Sequence, residues 1–300
     1  MTLVRVAGPR AATRLGPLDP REAAWRPDLA DIALASLVTV PHYARPVPHV
    51  ALRPVAVQAA DSAEATAVSE LLPGEGFAVL DEGHGHAWGF SIADHYVGHV
   101  PLDALAPGDP AATTHMAGPG DALLFAAPDI KAPVVTALPA GSRVTAAAHD
   151  ERFLILTAGP HAGALLHRRH ALPAAGDAAL DWVAVAEGFL GSPYRWGGRS
   201  RAGVDCSGLV QVARLLAGRP TRRDSDMQQA DSTPIGRAEA GRGDLAFWPG
   251  HVGILLDADW LLHANAHAMA VTREPLAAVE ARIGAPASFA RPGGLRATSG

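Results

Sequence analysis

Cys206 is the only cysteine in the 300-residue chain, and it stands in Val204-Asp205-Cys206-Ser207-Gly208 at the head of an apolar run. A lone cysteine makes no intramolecular disulfide, so it is either a buried packing residue or a reactive one. Leu209, Val212, Ala213 and Leu216 recur at helical spacing, and Gly218-Arg219-Pro220 ends the run. Upstream, Gly191-Ser192-Pro193-Tyr194-Arg195-Trp196-Gly197-Gly198 argues against a regular element. The spacing therefore predicts a partly exposed Cys206 in the first turn of a helix entered from a glycine-rich loop. There the positive end of the helix dipole favours a thiolate, and backbone N–H groups stand ready for an oxyanion.

A nucleophilic thiol needs a base, commonly an imidazole oriented by a third polar group. Gly250-His251-Val252-Gly253-Ile254-Leu255-Leu256 and Trp260-Leu261-Leu262-His263-Ala264-Asn265 read as two strands, with Asp257-Ala258-Asp259 as the turn. If Leu256 pairs with Trp260, Gly253 faces His263 and His251 faces Asn265. His251 and His263 are then diagonal neighbours on one face. A two-residue turn would put them on opposite faces. Cys206 is thus read as nucleophile, His251 as general base and His263 as orienter, with Gly253 making room for His263. Asn265 or His267 replaces His263 under a different register. With 14 histidines in the chain, it is this paired arrangement that singles out these two.

The segments Pro193-Tyr194-Arg195-Trp196-Gly197-Gly198, Asp205-Cys206-Ser207-Gly208-Leu209-Val210, Gly243-Asp244-Leu245-Ala246-Phe247-Trp248, His251-Val252-Gly253-Ile254 and Leu262-His263-Ala264 together resemble the NlpC/P60 family of cell-wall peptidases. The resemblance implies an α+β, papain-like catalytic domain over 177–300. It also implies hydrolysis of the bond between D-γ-glutamate and a diamino acid in peptidoglycan stem peptides. Members that trim free muropeptides read the free amine of the terminal L-alanine; by position, those residues are Asp205, Ser207 and Ser225. A carboxylate beside the nucleophile raises its pKa, which makes sense if it is aimed at a substrate ammonium; an N-cap role is the alternative. Tyr194 is carried over as a residue near the cysteine, with loop packing as its alternative.

Ahead of that region, Ala65 to Glu75, Phe77-Ala78-Val79-Leu80, Ala87-Trp88-Gly89-Phe90-Ser91-Ile92 and Tyr96-Val97-Gly98-His99-Val100-Pro101 resemble a bacterial SH3-like barrel, assigned to 47–112. Pro133 to Val144, Phe153-Leu154-Ile155-Leu156 and Ala164-Leu165-Leu166 repeat the grammar, assigning a second barrel to 113–173. Two small all-β barrels before an NlpC/P60 domain resemble recycling-type γ-D-glutamyl-L-diamino acid endopeptidases. That resemblance adds Tyr96 and Glu75 as amine-reading residues, Glu75 at a solvated turn and Tyr96 with a core role as alternative. Residues 1–46 read as an extension that wraps other domains, with one helix from Arg26 through Leu37; 173–176 reads as a linker.

The 48% hydrophobic and 18% charged composition suffices for real cores. A net charge of −5 without a basic run argues against nucleic acid. Positive charge is nearly all arginine, Lys131 being the one lysine. His84, His86, His95 and His99 lack the partners of a metal site, so no metal or other cofactor is expected. No secretory signal or membrane span is visible, which predicts a cytoplasmic enzyme acting on returned wall fragments. Rival readings are an exported endopeptidase on intact peptidoglycan, a wall-binding module with a vestigial peptidase domain, and an acyl transferase using the same nucleophile.

Overall fold

Alternating burial along short strands shapes both compact units of the chain, Met1–Thr113 and Thr114–Gly300. The computed structural model describes residues 18–174 and 180–294, with Leu3 and the segments 5–7 and 13–14.

In the first unit, seven strands form one antiparallel sheet in the order Leu105–Pro107, Val47–Ala51, Gly76–Gly83, His86–Ser91, Val97–Pro101, Val55–Gln58, Ala67–Leu71. Phe77, Val79, Ala87 and Val100 pack with Val57 and Leu71 in one core. Ala78, Leu80, Trp88 and Phe90 alternate to another cluster, where Ala24, Leu29 and Ala44 of the N-terminal region cover them. Arg26 lies 4.6 Å over the Trp88 ring and ion-pairs with Asp81.

The N-terminal region contains no helix from Arg26 through Leu37. Trp25–Arg26 and Leu29–Asp31 are strands, and a single 3-10 turn, Ile32–Leu34, follows, capped by Asp31 accepting from the Ala33 N–H. Pairing decides against the helix: Ala30 is in register with Trp25 on one side and Tyr43 on the other. Much of 1–17 lies outside the described residues, as do Ala175 and Gly176 of the expected linker.

The barrel expectation needs correcting. The seven-stranded sheet leaves Leu105–Pro107 and Ala67–Leu71 as unjoined edges. The second repeat splits into a three-stranded sheet (Arg143–Val144, His115–Ala117, Ala171–Pro173) and a five-stranded one (Val134–Leu138, Ala122–Phe125, Leu165–His167, Phe153–Leu156, Ala146–Ala148). Closure requires a continuous ladder around the axis. Pro107 and Pro173, each ending an edge strand, lack the N–H to extend one.

The second unit joins this repeat to the cysteine-bearing region: Met116 and Ala140 share a core with Trp182, Phe189, Leu209 and Leu245. Here six antiparallel strands, β1 (Thr233–Ile235), β2 (Leu245–Trp248), β3 (His251–Leu255), β4 (Trp260–Asn265), β5 (Ala270–Pro275) and β6 (Ser288–Arg291), are ordered β1-β6-β2-β3-β4-β5. Helices α1 (Trp182–Glu187) and α2 (Cys206–Leu216) cover one face through Phe247, Val252, Ile254, Leu262 and Ala264. Alternate residues Ala246, Trp248, Leu255 and Leu261 pack on Leu276 and Val279 of the helix Leu276–Ile283. The period of two along each strand thus builds two cores on one sheet.

The register of β3 and β4 matches expectation: Ile254 pairs with Leu262 and Leu255 with Leu261, and Leu256 N–H donates to the Trp260 carbonyl at 2.8 Å. The role assigned to Gly253 does not. A Cβ there would stand 2.7 Å from Cδ1, Cδ2 and Cγ of Leu261, so the glycine accommodates that leucine rather than His263. Gly253→Ala should therefore cost about 1–3 kcal/mol by overpacking. Adding Leu261→Ala should make the pair cost less than the sum of the single changes, read by urea unfolding; strict additivity would show that the two side chains do not compete for the space.

Candidate active site

Asp205 builds the site from below. It is the N-cap of α2, its Oδ1 accepting from the Gly208 N–H at 2.7 Å. Its Oδ2 accepts from the Gly197 N–H at 2.8 Å, tying the glycine-rich loop to the helix start. Arg223 grips both oxygens, through Nη1 at 3.0 Å and through Nη2, and donates to the Ser207 hydroxyl at 2.9 Å. Asp205, Ser207 and Arg223 are all buried, Arg223 to 1% exposure. The loop approaches closely enough that a Cβ on Gly208 would stand 2.2 Å from the Gly198 carbonyl oxygen. Only glycine allows that contact.

Cys206 is the first residue of α2, as its spacing predicted, but it is buried rather than partly exposed. Its thiol is pushed up to about 11, by burial first and by Asp205 second. N–H groups of Val252 and Ser207 and the charge of Arg223 pull the other way without prevailing. The expected dipole-stabilised thiolate is thus corrected: desolvation outweighs a helix end. The Val252 N–H places the thiol at the start of β3, one residue from His251.

His251 Nε2 lies 2.8 Å from His263 Nδ1. Burial, then the charges of His263 and Arg282, push His251 down to about 4. His263 is lowered as well, again chiefly by burial. Its Nε2 lies 3.1 Å from Glu274 Oε1. The sequence reading missed Glu274, Arg282 and Arg223. Glu274 sits on β5, a strand not recognised there, two residues beyond Thr272, which is in register with His263. Arg223 lies two residues before Ser225, in a polar segment where the serine alone carries the family resemblance.

The remaining candidates sit as follows. Tyr194 packs against the core beside the thiol. Its phenol is pushed up to about 12, by burial first, then by Cys206 and Asp205. Ser225 is the first residue of the helix Ser225–Asp231, half-buried and preceded by Asp224 as N-cap. Asn265 holds Thr272 at 2.7 Å and Glu274 at 3.3 Å, beside the relay rather than in place of His263. Asp205's carboxylate is spent on capping and on Arg223, and Ser207 belongs to the same buried network; no oxygen of Asp205 is left over for an ammonium. Tyr96 and Glu75 belong to the other unit, both buried; Glu75 is not solvated but accepts from the Leu72 N–H at 2.8 Å. His84 holds Asp61 and His86 holds Gln58, and no group of three or more His, Cys, Asp or Glu suited to a metal occurs among the described residues.

The geometry agrees with comparison to known proteins. Residues 191–280 match the NlpC/P60 family, and residues 59–105 match the bacterial dipeptidyl-peptidase Sh3 domain. The first of these matches contains Cys206, His251, His263 and Glu274. The chain is 41% identical to dipeptidyl-peptidase 6 of Lysinibacillus sphaericus, over 28% of this chain and 31% of that one. It is 48% identical to murein DD-endopeptidase MepH of Escherichia coli, over 20% of this chain and 23% of that one. The alignments to these two proteins thus span under a third of their length. An NlpC/P60 family protein from Bacillus cereus superposes with a TM-score of 0.69 at 18% identity, covering 81% of this chain and 98% of that one, and shares the fold.

Two outcomes follow from the burial of this site. Arg223→Met strands a buried carboxylate and should cost roughly 3–5 kcal/mol in denaturant unfolding. A loss below about 1 kcal/mol, typical of exposed pairs, would mean that water reaches Asp205. His251 titrates near 6.5 when unfolded and near 4 when folded. As pH falls through that window the unfolded chain gains a proton that the folded one refuses, so stability is full above 6.5 and drops by up to roughly 3 kcal/mol toward 4. Urea midpoints at pH 7 and 4.5 should fall less in His251→Gln than in the parent; equal falls would remove His251 as the source.

Proposed function

We propose that the chain is a cysteine peptidase hydrolysing the γ-D-glutamyl–L-diamino acid bond of peptidoglycan stem peptides, in free muropeptides with an unblocked N-terminal L-alanine. The observation that carries the reading is the buried Cys206 at the head of α2, its thiol met by the N–H of Val252, the residue after His251 of the His251–His263 pair. Thiol and imidazole rest neutral, since the first is pushed up to about 11 and the second down to about 4. His251 therefore acts as a general base during attack rather than completing a preformed ion pair. As Sγ bonds to the carbonyl carbon, its proton passes to Nδ1 of His251, the nitrogen turned from His263. The Cys206 N–H, in the unsatisfied first turn of α2, receives the developing oxyanion. Collapse expels the diamino acid amine, which takes the proton from His251, and water then hydrolyses the γ-glutamyl thioester. None of these steps uses a metal.

The free-amine preference is supported by the name of the Lysinibacillus relative, a dipeptidyl-peptidase, since release of a dipeptide requires reading an N-terminus. With Asp205 committed to Arg223, we assign the ammonium to the hydroxyls of Tyr194 and Ser225. A cytoplasmic location goes with this substrate, because free L-alanine termini belong to returned fragments. The murein endopeptidase relative favours the second reading, an exported enzyme on intact wall.

Mass spectrometry of L-Ala-γ-D-Glu-diamino acid peptides, with free and N-acetylated L-alanine, separates the readings. Expected is cleavage of the free-amine peptide alone, abolished in Cys206→Ala. Equal cleavage of both favours the wall enzyme. Cleavage of neither leaves the vestigial wall-binding module and the acyl transferase, which added acceptor amine would expose.

A further inference from the structure

Beyond His263 the relay continues into a carboxylate that cannot donate. Glu274 Oε1 is met by His263 Nε2 at 3.1 Å and by the Thr272 hydroxyl at 2.8 Å; Asn265 Nδ2 stands 3.3 Å away. Glu274 Oε2 is met by Arg282 Nη1 at 2.7 Å. Every partner except the imidazole must act as a donor here. Asn265 fixes the hydroxyl of Thr272 by donating to it at 2.7 Å, and its own Oδ1 is taken by the Ala268 N–H at 2.8 Å. Although burial works against the charge, the bonds from Arg282, Thr272 and His263 hold the Glu274 carboxyl down at about 2.

We propose that Glu274 is a positioning residue that sets the tautomers of both histidines in series, leaving Nδ1 of His251 bare to receive the Cys206 proton. The logic is one of donors and acceptors. An ionised carboxylate only accepts, so His263 carries its proton on Nε2. A neutral imidazole has one N–H, so His263 Nδ1 is an acceptor. His251 Nε2, 2.8 Å away, must then donate, and the remaining lone pair of His251 is on Nδ1. No proton is transferred to Glu274: it fixes ring orientation and, when His251 becomes an imidazolium, supplies the nearest negative charge along the chain. The inference rests on the peptidase reading only for its kinetic consequence; the tautomers belong to the resting protein.

The test uses full-length protein labelled with ring-15N histidine, its His251 and His263 signals assigned through His251→Gln and His263→Gln. Long-range proton–nitrogen spectra at pH 7 should show the Nε2–H form for both rings. An Nδ1–H form on either ring in the parent protein overturns the proposal without any Glu274 variant. Glu274→Leu should replace the single forms with mixtures and slow alkylation of Cys206 by iodoacetamide about 10- to 100-fold, the range expected when a supporting partner of a functional histidine is lost. On the peptide substrate kcat should fall by a similar factor with KM little changed, and Glu274→Asp should recover part of it. Unchanged tautomers and alkylation in Glu274→Leu, with only the melting temperature lowered, would reduce Glu274 to a tie between β5 and the helix Leu276–Ile283. Spectra and alkylation need no substrate, so failure of the parent protein to cut any peptide would sink the proposed function and leave these outcomes readable.

Discussion

The buried carboxylate of Asp205 is the constraint on which the site depends. Three pieces of chain converge on its two oxygens: the glycine-rich loop at Gly197, the first turn of α2 at Gly208, and Arg223 just before the helix Ser225–Asp231. Without a counter-charge such burial would be unaffordable, and Arg223 at 1% exposure is equally dependent on Asp205. The gain is geometric. Gly198 and Gly208 lie nearly in contact, and Cys206 is held where its thiol meets the Val252 N–H of β3.

That anchorage has an electrostatic consequence. A residue placed beside a carboxylate and deep in a core is a poor thiolate, whatever helix end it occupies. The backbone donors from Val252 and Ser207 soften the effect without reversing it. A partly buried imidazole beside a second histidine is likewise a poor cation. The two neutral groups therefore match one another, and the charge separation of catalysis arises as bonds change, in a site whose dipoles are already oriented.

Much of this was legible in the sequence. The helix at Cys206 announced itself by its apolar spacing and its glycine-proline stop. The β3–β4 register followed from counting three turn residues between Leu256 and Trp260, whose backbones are hydrogen-bonded to each other. Misreadings came where tertiary pairing overrides local pattern. Arg26 to Leu37 looks helical alone, yet Ala30 is paired on both sides. Barrel closure is a property of the whole ladder, and a terminal proline in an edge strand ends it without disturbing the strand grammar. Arg223 and Glu274 stayed invisible for another reason: each is defined by a partner 18 or 11 residues away, and a lone charged residue in a sequence reads as solvated surface.

Sheet geometry explains why the orienting group comes as a series rather than a single residue. On one face, diagonal and cross-strand neighbours lie within side-chain reach, and β3, β4 and β5 present His251, His263 and Glu274 in that order. A carboxylate placed directly against His251 would raise its pKa and store the proton there, weakening the drive to return it to the leaving amine. Interposing a neutral imidazole transmits the tautomer while diluting the charge, since Coulomb attraction falls with distance. The arrangement keeps His251 neutral at rest, the protonation state that a buried, uncharged thiol requires of its base.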